Sequence, residues 1–134
     1  MENSKKQILI IEDEPDIQEL LLFNLDNNGY KVYTASDGEK GLEVARKEHP
    51  DLILLDLMLP GIHGLDVCRI IKSDQETSSI SIIMLTALGQ EDDIIKGLET
   101  GADDYVTKPF SFQVLEARIK SVLRRVPKSD ENTN

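Results

Sequence analysis

Five short apolar runs punctuate the chain: Ile8-Leu9-Ile10-Ile11, Val32-Tyr33, Leu52-Ile53-Leu54-Leu55, Ile80 to Leu85, and Tyr105-Val106. The first, third and fourth are continuous rather than alternating. Strands buried on both faces have this pattern because neither face meets water, so the runs predict a parallel sheet covered by helices.

Helical patterns lie between the runs. Ile17, Leu20, Leu21 and Leu25 follow the three-four spacing of an amphipathic helix, with Pro15 in its first turn and Asn28-Gly29 at its end. Ser36-Asp37-Gly38-Glu39 offers a capping box for a second helix running through Leu42 and Ala45. Leu65, Cys68 and Ile71 mark a third, and Ile94, Ile95 and Leu98 a fourth that stops at Gly101. Leu115, Ile119 and Val122 mark a fifth, with Ser111 as its N-cap.

The order is therefore βα repeated five times, which predicts a doubly wound α/β fold with helices on both faces. Such folds place their sites at the carboxyl ends of the strands. One domain is expected over residues 1–126. Residues 127–134, Pro127 followed almost only by polar residues, read as a frayed tail or linker remnant.

Charge narrows the function. Of 134 residues, 25 are Asp or Glu and 15 are Lys or Arg, a formal net charge of −10. Such a chain is repelled by nucleic acids and anionic membranes, so direct nucleic-acid binding by this domain is not expected. The single cysteine, Cys68, excludes an intramolecular disulfide and a cysteine-based zinc site. No apolar run approaches the roughly 20 residues of a membrane span, and Met1 to Gln7 lacks the pattern of a signal peptide. The expectation is a soluble cytoplasmic protein.

The chemistry stands at the strand ends. Glu12-Asp13-Glu14 follow the first run, Asp56 ends the third, Thr86 ends the fourth, and Lys108-Pro109 follow the fifth. Clustered carboxylates either raise a pKa or recruit a hard cation. Mg²⁺ suits such a site, since it takes oxygen ligands and often completes its shell with phosphate oxygens. A carboxylate can also attack phosphorus and form an aspartyl phosphate. Phosphoryl transfer then needs the charge on the equatorial oxygens neutralised, to which the Lys108 ammonium and the Thr86 hydroxyl are suited.

Taken singly, each residue has a plainer reading. Asp56 could cap the next loop, Thr86 could be a β-branched strand end, Tyr105 a core-edge aromatic and Lys108 a solvated loop lysine. Convergence on one rim favours the chemical reading of Asp56, Thr86 and Lys108; for Tyr105 both readings stand. His49, before Pro50 at a helix end, reads as structural. His63, with no second histidine nearby, reads poorly as a metal ligand or phosphodonor. Cys68 lies on an apolar stripe and reads as core. Glu91-Asp92-Asp93 reads as a favourable helix N-terminus.

Four segments together resemble the response-regulator receiver domain: Ile8 to Glu14, Asp51 to Gly61, Thr86-Ala87, and Gly101 to Phe110. The match runs from about Lys6 to Arg125. The resemblance implies a flavodoxin-like (βα)5 fold with strand order 2-1-3-4-5. It implies that Asp56 accepts a phosphoryl group from a histidine kinase, and that Asp13 and Asp56, with the Met58 carbonyl, bind Mg²⁺, Glu12 acting directly or through water. It further implies that Lys108, through a cis bond to Pro109, contacts the phosphoryl group, that Thr86 follows it, and that Tyr105 swings inward behind Thr86. Catalysis would be limited to the domain's own phosphorylation and dephosphorylation.

Two rivals are weighed against it. A Mg²⁺-dependent aspartyl-phosphate phosphatase often has an acid two residues after its nucleophile, where Met58 stands here. A flavin or nucleotide binder needs a Gly-rich cradle, and Glu12-Asp13-Glu14-Pro15 has no glycine. Within the family, Gly97 to Tyr105 and Arg118 to Arg125 are similar to receivers of winged-helix (OmpR/PhoB-type) transcription regulators. No winged-helix domain fits after Arg125, which leaves a stand-alone receiver or a piece cut at the linker. In the winged-helix subfamily the face built by the fourth helix, fifth strand and fifth helix forms a two-fold dimer held by ion pairs. Asp104 with Arg118 and Asp103 with Arg125 match two of them. A third pair, normally Arg with Glu, is Ile94 with Val114, which would extend an apolar patch of Ile95 and Leu98. The implied partners are a cognate histidine kinase and, on phosphorylation, a second copy of the chain.

Overall fold

The computed structural model describes residues 5–87 and 90–125. Leu88 and the segment from residue 126, to which the expected tail belongs, lie outside the described residues. Ten elements alternate: β1 (Gln7–Ile11), α1 (Pro15–Asn27), β2 (Lys31–Ala35), α2 (Gly38–Glu48), β3 (Leu52–Asp56), α3 (Gly64–Ser73), β4 (Ser81–Ala87), α4 (Glu91–Thr100), β5 (Asp104–Lys108) and α5 (Phe112–Arg125). The strands form one parallel sheet in the order β2-β1-β3-β4-β5. That is the flavodoxin-like order.

The continuous apolar runs have a simple cause. Successive strand residues point to opposite faces. Leu9, Ile11, Ile53, Leu55, Ile82 and Met84 pack beneath Leu42 and Ala45 of α2 and Val67, Cys68 and Ile71 of α3. Their neighbours Ile8, Ile10, Leu52, Leu54, Ile83 and Leu85 pack against Leu21 and Leu25 of α1 and Leu115, Ile119 and Val122 of α5. Both faces are covered, so both sets must be apolar.

Several boundaries differ from the sequence reading. Asp37, not Ser36, caps α2: its carboxylate accepts a 2.8 Å bond from the Lys40 N–H. Leu20, assigned to the buried stripe of α1, is exposed, as is Phe23, because the stripe turns through Leu21 and Leu25. Ile80 is buried but precedes β4. In α4 the only buried residue is Gly97, where a Cβ would collide with the Met84 sulfur, while Ile95 and Leu98 face outward. Ser111 caps α5 as expected, its hydroxyl accepting from the Val114 N–H at 3.1 Å. His49 closes α2 in the left-handed conformation, φ 49°, its N–H donating to Ala45 O. None of the described helices is long and apolar enough to cross a membrane.

Candidate functional site: an acidic rim with one lysine

The carboxyl ends of β1, β3, β4 and β5 share one edge of the sheet, and the sequence-predicted groups meet there. Register does the alignment: Ile11 lies opposite Leu55, Asp56 opposite Leu85, and Ala87 opposite Lys108. Glu12, Asp13 and Asp56 each offer a carboxylate oxygen, and these lie within 4.8 Å of one another. An all-carboxylate set at this spacing fits a hard divalent cation such as Mg²⁺.

Lys108 is the cation already in place. Its ammonium donates to Glu12 Oε1 at 3.0 Å and stands 3.4 Å from Asp56 Oδ2 and 3.9 Å from Glu14 Oε1. Burial alone would pull the lysine down, but Glu12 and Asp56 outweigh it and hold the ammonium up. Glu12 has no exposed surface. Desolvation pushes its carboxyl up to about 7, against the opposing Glu14 N–H and Lys108 bonds, with Asp56 adding repulsion.

Asp56 is itself buried, and its Oδ1 accepts a 3.1 Å bond from the Met58 N–H. That bond turns the loop after β3 back across the carboxylate. Thr86 is buried at the end of β4, with its hydroxyl 3.4 Å from the Ala87 carbonyl. The Lys108–Pro109 bond is cis. Tyr105 is 37% exposed.

Three positioning residues escaped the sequence reading. Gln18 of α1 donates to the Glu12 carbonyl at 2.8 Å and reaches the Ala35 carbonyl at 3.4 Å, tying together the ends of β1 and β2. Gly64 allows α3 to start against β3: a Cβ there would lie 2.5 Å from the Asp56 carbonyl oxygen and 2.7 Å from Leu57 Cα. His63 is the N-cap of α3. A polar residue inside an apolar stripe was the only signal for Gln18, and the His63-Gly64 junction carried none that distinguishes it from a turn.

On the face formed by α4, β5 and α5, Ile95, Leu98, Tyr105 and Val114 are exposed, while Ile94 is half-buried. Arg118 and Asp104 meet within the chain at 3.3 Å. Asp103 turns toward the sheet, where it accepts from the Ile82 N–H at 2.8 Å and stands 3.9 Å from the Lys72 ammonium.

A parallel five-stranded α/β fold with carboxylates and one lysine on its strand-end rim defines a class, and comparison with known proteins gives the family. The profile of the response regulator receiver domain matches residues 8–120. The chain belongs to this family and is a receiver domain of the two-component kind. It is 51% identical over 120 residues to the alkaline phosphatase synthesis transcriptional regulatory protein PhoP of Bacillus subtilis, covering 90% of this chain and 49% of that one. It is 50% identical over 119 residues to the DNA-binding dual master transcriptional regulator RpaA of Synechocystis sp., covering 89% of this chain and 49% of that one. The chain thus spans about half the length of the curated relatives it matches. Among solved structures, a response regulator from Chloroflexus aurantiacus superposes with a TM-score of 0.86 at 38% identity, over 91% of this chain and 100% of that one. The BeF3-activated DrrB receiver domain gives 0.81 at 35% identity, over 91% and 100%.

Proposed function

We propose that Asp56 accepts a phosphoryl group from the phosphohistidine of a histidine kinase. The observation that supports this best is a buried Asp56 carboxylate with two further carboxylates within 4.8 Å and the Lys108 ammonium 3.4 Å away. An Asp56 oxygen attacks phosphorus, the P–N bond to the kinase histidine breaks, and the leaving imidazole takes up the electron pair. Glu12, Asp13 and Asp56, with the Met58 carbonyl, would hold Mg²⁺, which neutralises charge on the phosphoryl oxygens. Lys108 neutralises further charge and Thr86 donates a hydrogen bond to the new group. Met58, two residues beyond Asp56, offers no acid or base for turnover on external substrates.

The output is read at the α4-β5-α5 face, through Thr86 and Tyr105. Ile94, Ile95, Leu98 and Val114 would form the apolar part of a phosphorylation-favoured two-fold dimer, with Asp103, Asp104, Arg118 and Arg125 at its polar margin. Since the relatives are transcription regulators, the switch would control transcription in the same way.

Treatment with acetyl phosphate or beryllofluoride, read by mass spectrometry, tests the acceptor. Modification is expected only with Mg²⁺ present and only in the wild type, not in Asp56→Asn. Equal labelling of both removes Asp56 from the role.

A further inference from the structure

Helix α3 starts where the loop after Asp56 ends, and a histidine closes its first turn. His63 Nδ1 accepts a hydrogen bond from the Leu65 N–H at 3.2 Å. The other first-turn donors go to backbone: Gly64 N–H to the Leu57 carbonyl, and Asp66 and Val67 N–H to the His63 carbonyl. The Leu65 bond is thus the one that a side chain supplies, and a helix start needs all of its donors satisfied.

Ser, Thr, Asp and Asn commonly fill this position because their oxygens accept at neutral pH. An imidazole does so only when neutral, with its proton on Nε2; the charged ring is a donor at both nitrogens. Protonation aims one donor at another. It also sets a cation at the helix end where the dipole favours an anion.

The cap is mechanically close to the rim. Gly64 rests on the Asp56 carbonyl and Leu57. Residues 57–63 run between that contact and Asp56, and they include Met58, whose N–H holds Asp56 Oδ1. Charged groups surround this end of α3. Asp66 and Arg69 lie on α3 itself, paired at 2.9 Å. Asp37 and Glu39 at the start of α2 line a cleft with Pro60, Gly61 and Ile62. Lys96 and Glu99 of α4 line a groove with Leu65 and Asp66. Asp56 ends the strand behind. Glu12, farther along the rim, has its carboxyl pushed up to about 7 by burial, so a test must separate its response from that of the cap.

We propose that His63 is a proton-sensitive latch: neutral, it caps α3 and pins the loop bearing Met58 against Asp56; protonated, it frees the first turn of α3 and loosens that loop. Amide hydrogen exchange on the metal-free chain, followed by NMR and corrected for intrinsic rates, reads this without any phosphorylation. On going from pH 7.5 to 5.5, wild-type protection at Leu65, Asp66 and Val67 should fall about five- to tenfold, the size of a lost cap. His63→Asp and His63→Asn, whose oxygens accept throughout this range, should change by less than about twofold. Glu12 is common to all three proteins, so its titration moves them together. Ring ¹⁵N shifts should show the Nε2–H tautomer at pH 7.5. An equal pH response in wild type and both variants, or a dominant Nδ1–H tautomer, overturns the latch.

Discussion

The Lys108 ammonium hydrogen-bonds a carboxylate, Glu12, that has no surface in contact with solvent. The bond does not offset the burial, and Glu12 is pushed from 4.5 up to about 7. A carboxyl that is harder to ionise when folded costs stability once ionised. The cost is absent below about 4.5 and complete above about 7. Metal-free wild type is therefore expected to lose stability, relative to Glu12→Gln, as pH rises across that window, by on the order of 3 kcal/mol at most. Urea unfolding of both proteins at pH 5 and pH 8 measures the difference. Saturating Mg²⁺ should shrink it.

In the proposed mechanism Lys108 would both compete with a bound cation and serve the incoming phosphoryl group. Its replacement should pull those two properties apart. Lys108→Ala is expected to bind Mg²⁺ at least as tightly as wild type by calorimetry. Its labelling by acetyl phosphate should slow by about 100-fold, the scale of losing one preorganised group that stabilises transition-state charge. Parallel loss of both properties would point to damage to the fold instead.

Met58, two residues beyond the proposed acceptor Asp56, is 57% exposed and carries a thioether. A thioether cannot orient a nucleophile for in-line attack. Self-dephosphorylation is expected to be slow, and Met58→Asn should speed phosphate release severalfold. Leu88, two residues beyond Thr86 as Met58 is beyond Asp56, lies outside the described residues. Leu88→Glu is expected to act in the same direction.

The exposed apolar residues Ile95, Leu98 and Val114 make a patch that a second copy can bury. Light scattering with and without beryllofluoride should show dimer only in the activated chain, with weak salt dependence. Ile94→Arg should weaken the dimer by about tenfold or more, since it buries an unpaired charge. Adding Val114→Glu should restore it.

Gly64→Ala should be far more harmful than an exposed loop change. Its Cβ would meet backbone, the Asp56 carbonyl and Leu57 Cα, rather than a movable side-chain tip. A loss of about 1–3 kcal/mol is expected, with the β3–α3 loop displaced and phosphoryl acceptance reduced with it.

The strands were legible because alternate residues feed two layers, which leaves an unbroken apolar signature at Ile8 to Ile11 and Leu52 to Leu55. The rim was legible because a parallel sheet gathers all its carboxyl ends, so Glu12, Asp56 and Lys108 converge from distant positions without any local contact. What escaped depends on neighbours in space. Leu20 and Leu98 share the spacing of their helices' inner faces yet face outward. Asp103 also accepts a hydrogen bond from the Ile82 N–H of its own chain, a tie its charge alone does not announce. Gln18 and Gly64 act through backbone atoms of other elements, which no periodicity reports.

Helix α4 is attached to the sheet through a glycine. The other four helices each bury two or more residues, among them at least one leucine, valine or isoleucine, whereas α4 buries only Gly97 against Met84. A fully buried Leu, Ile or Val contributes about 1.5–3 kcal/mol of transfer free energy, and α4 has none of these. By side-chain burial its seat on the sheet is the shallowest of the five, so a new hydrogen bond or charge at the end of β4 would weigh more on α4 than on a helix anchored by several buried side chains. Under the proposed switch, the rim need not deform the sheet to be felt at a distance. It has only to tip a helix that was loosely seated from the start.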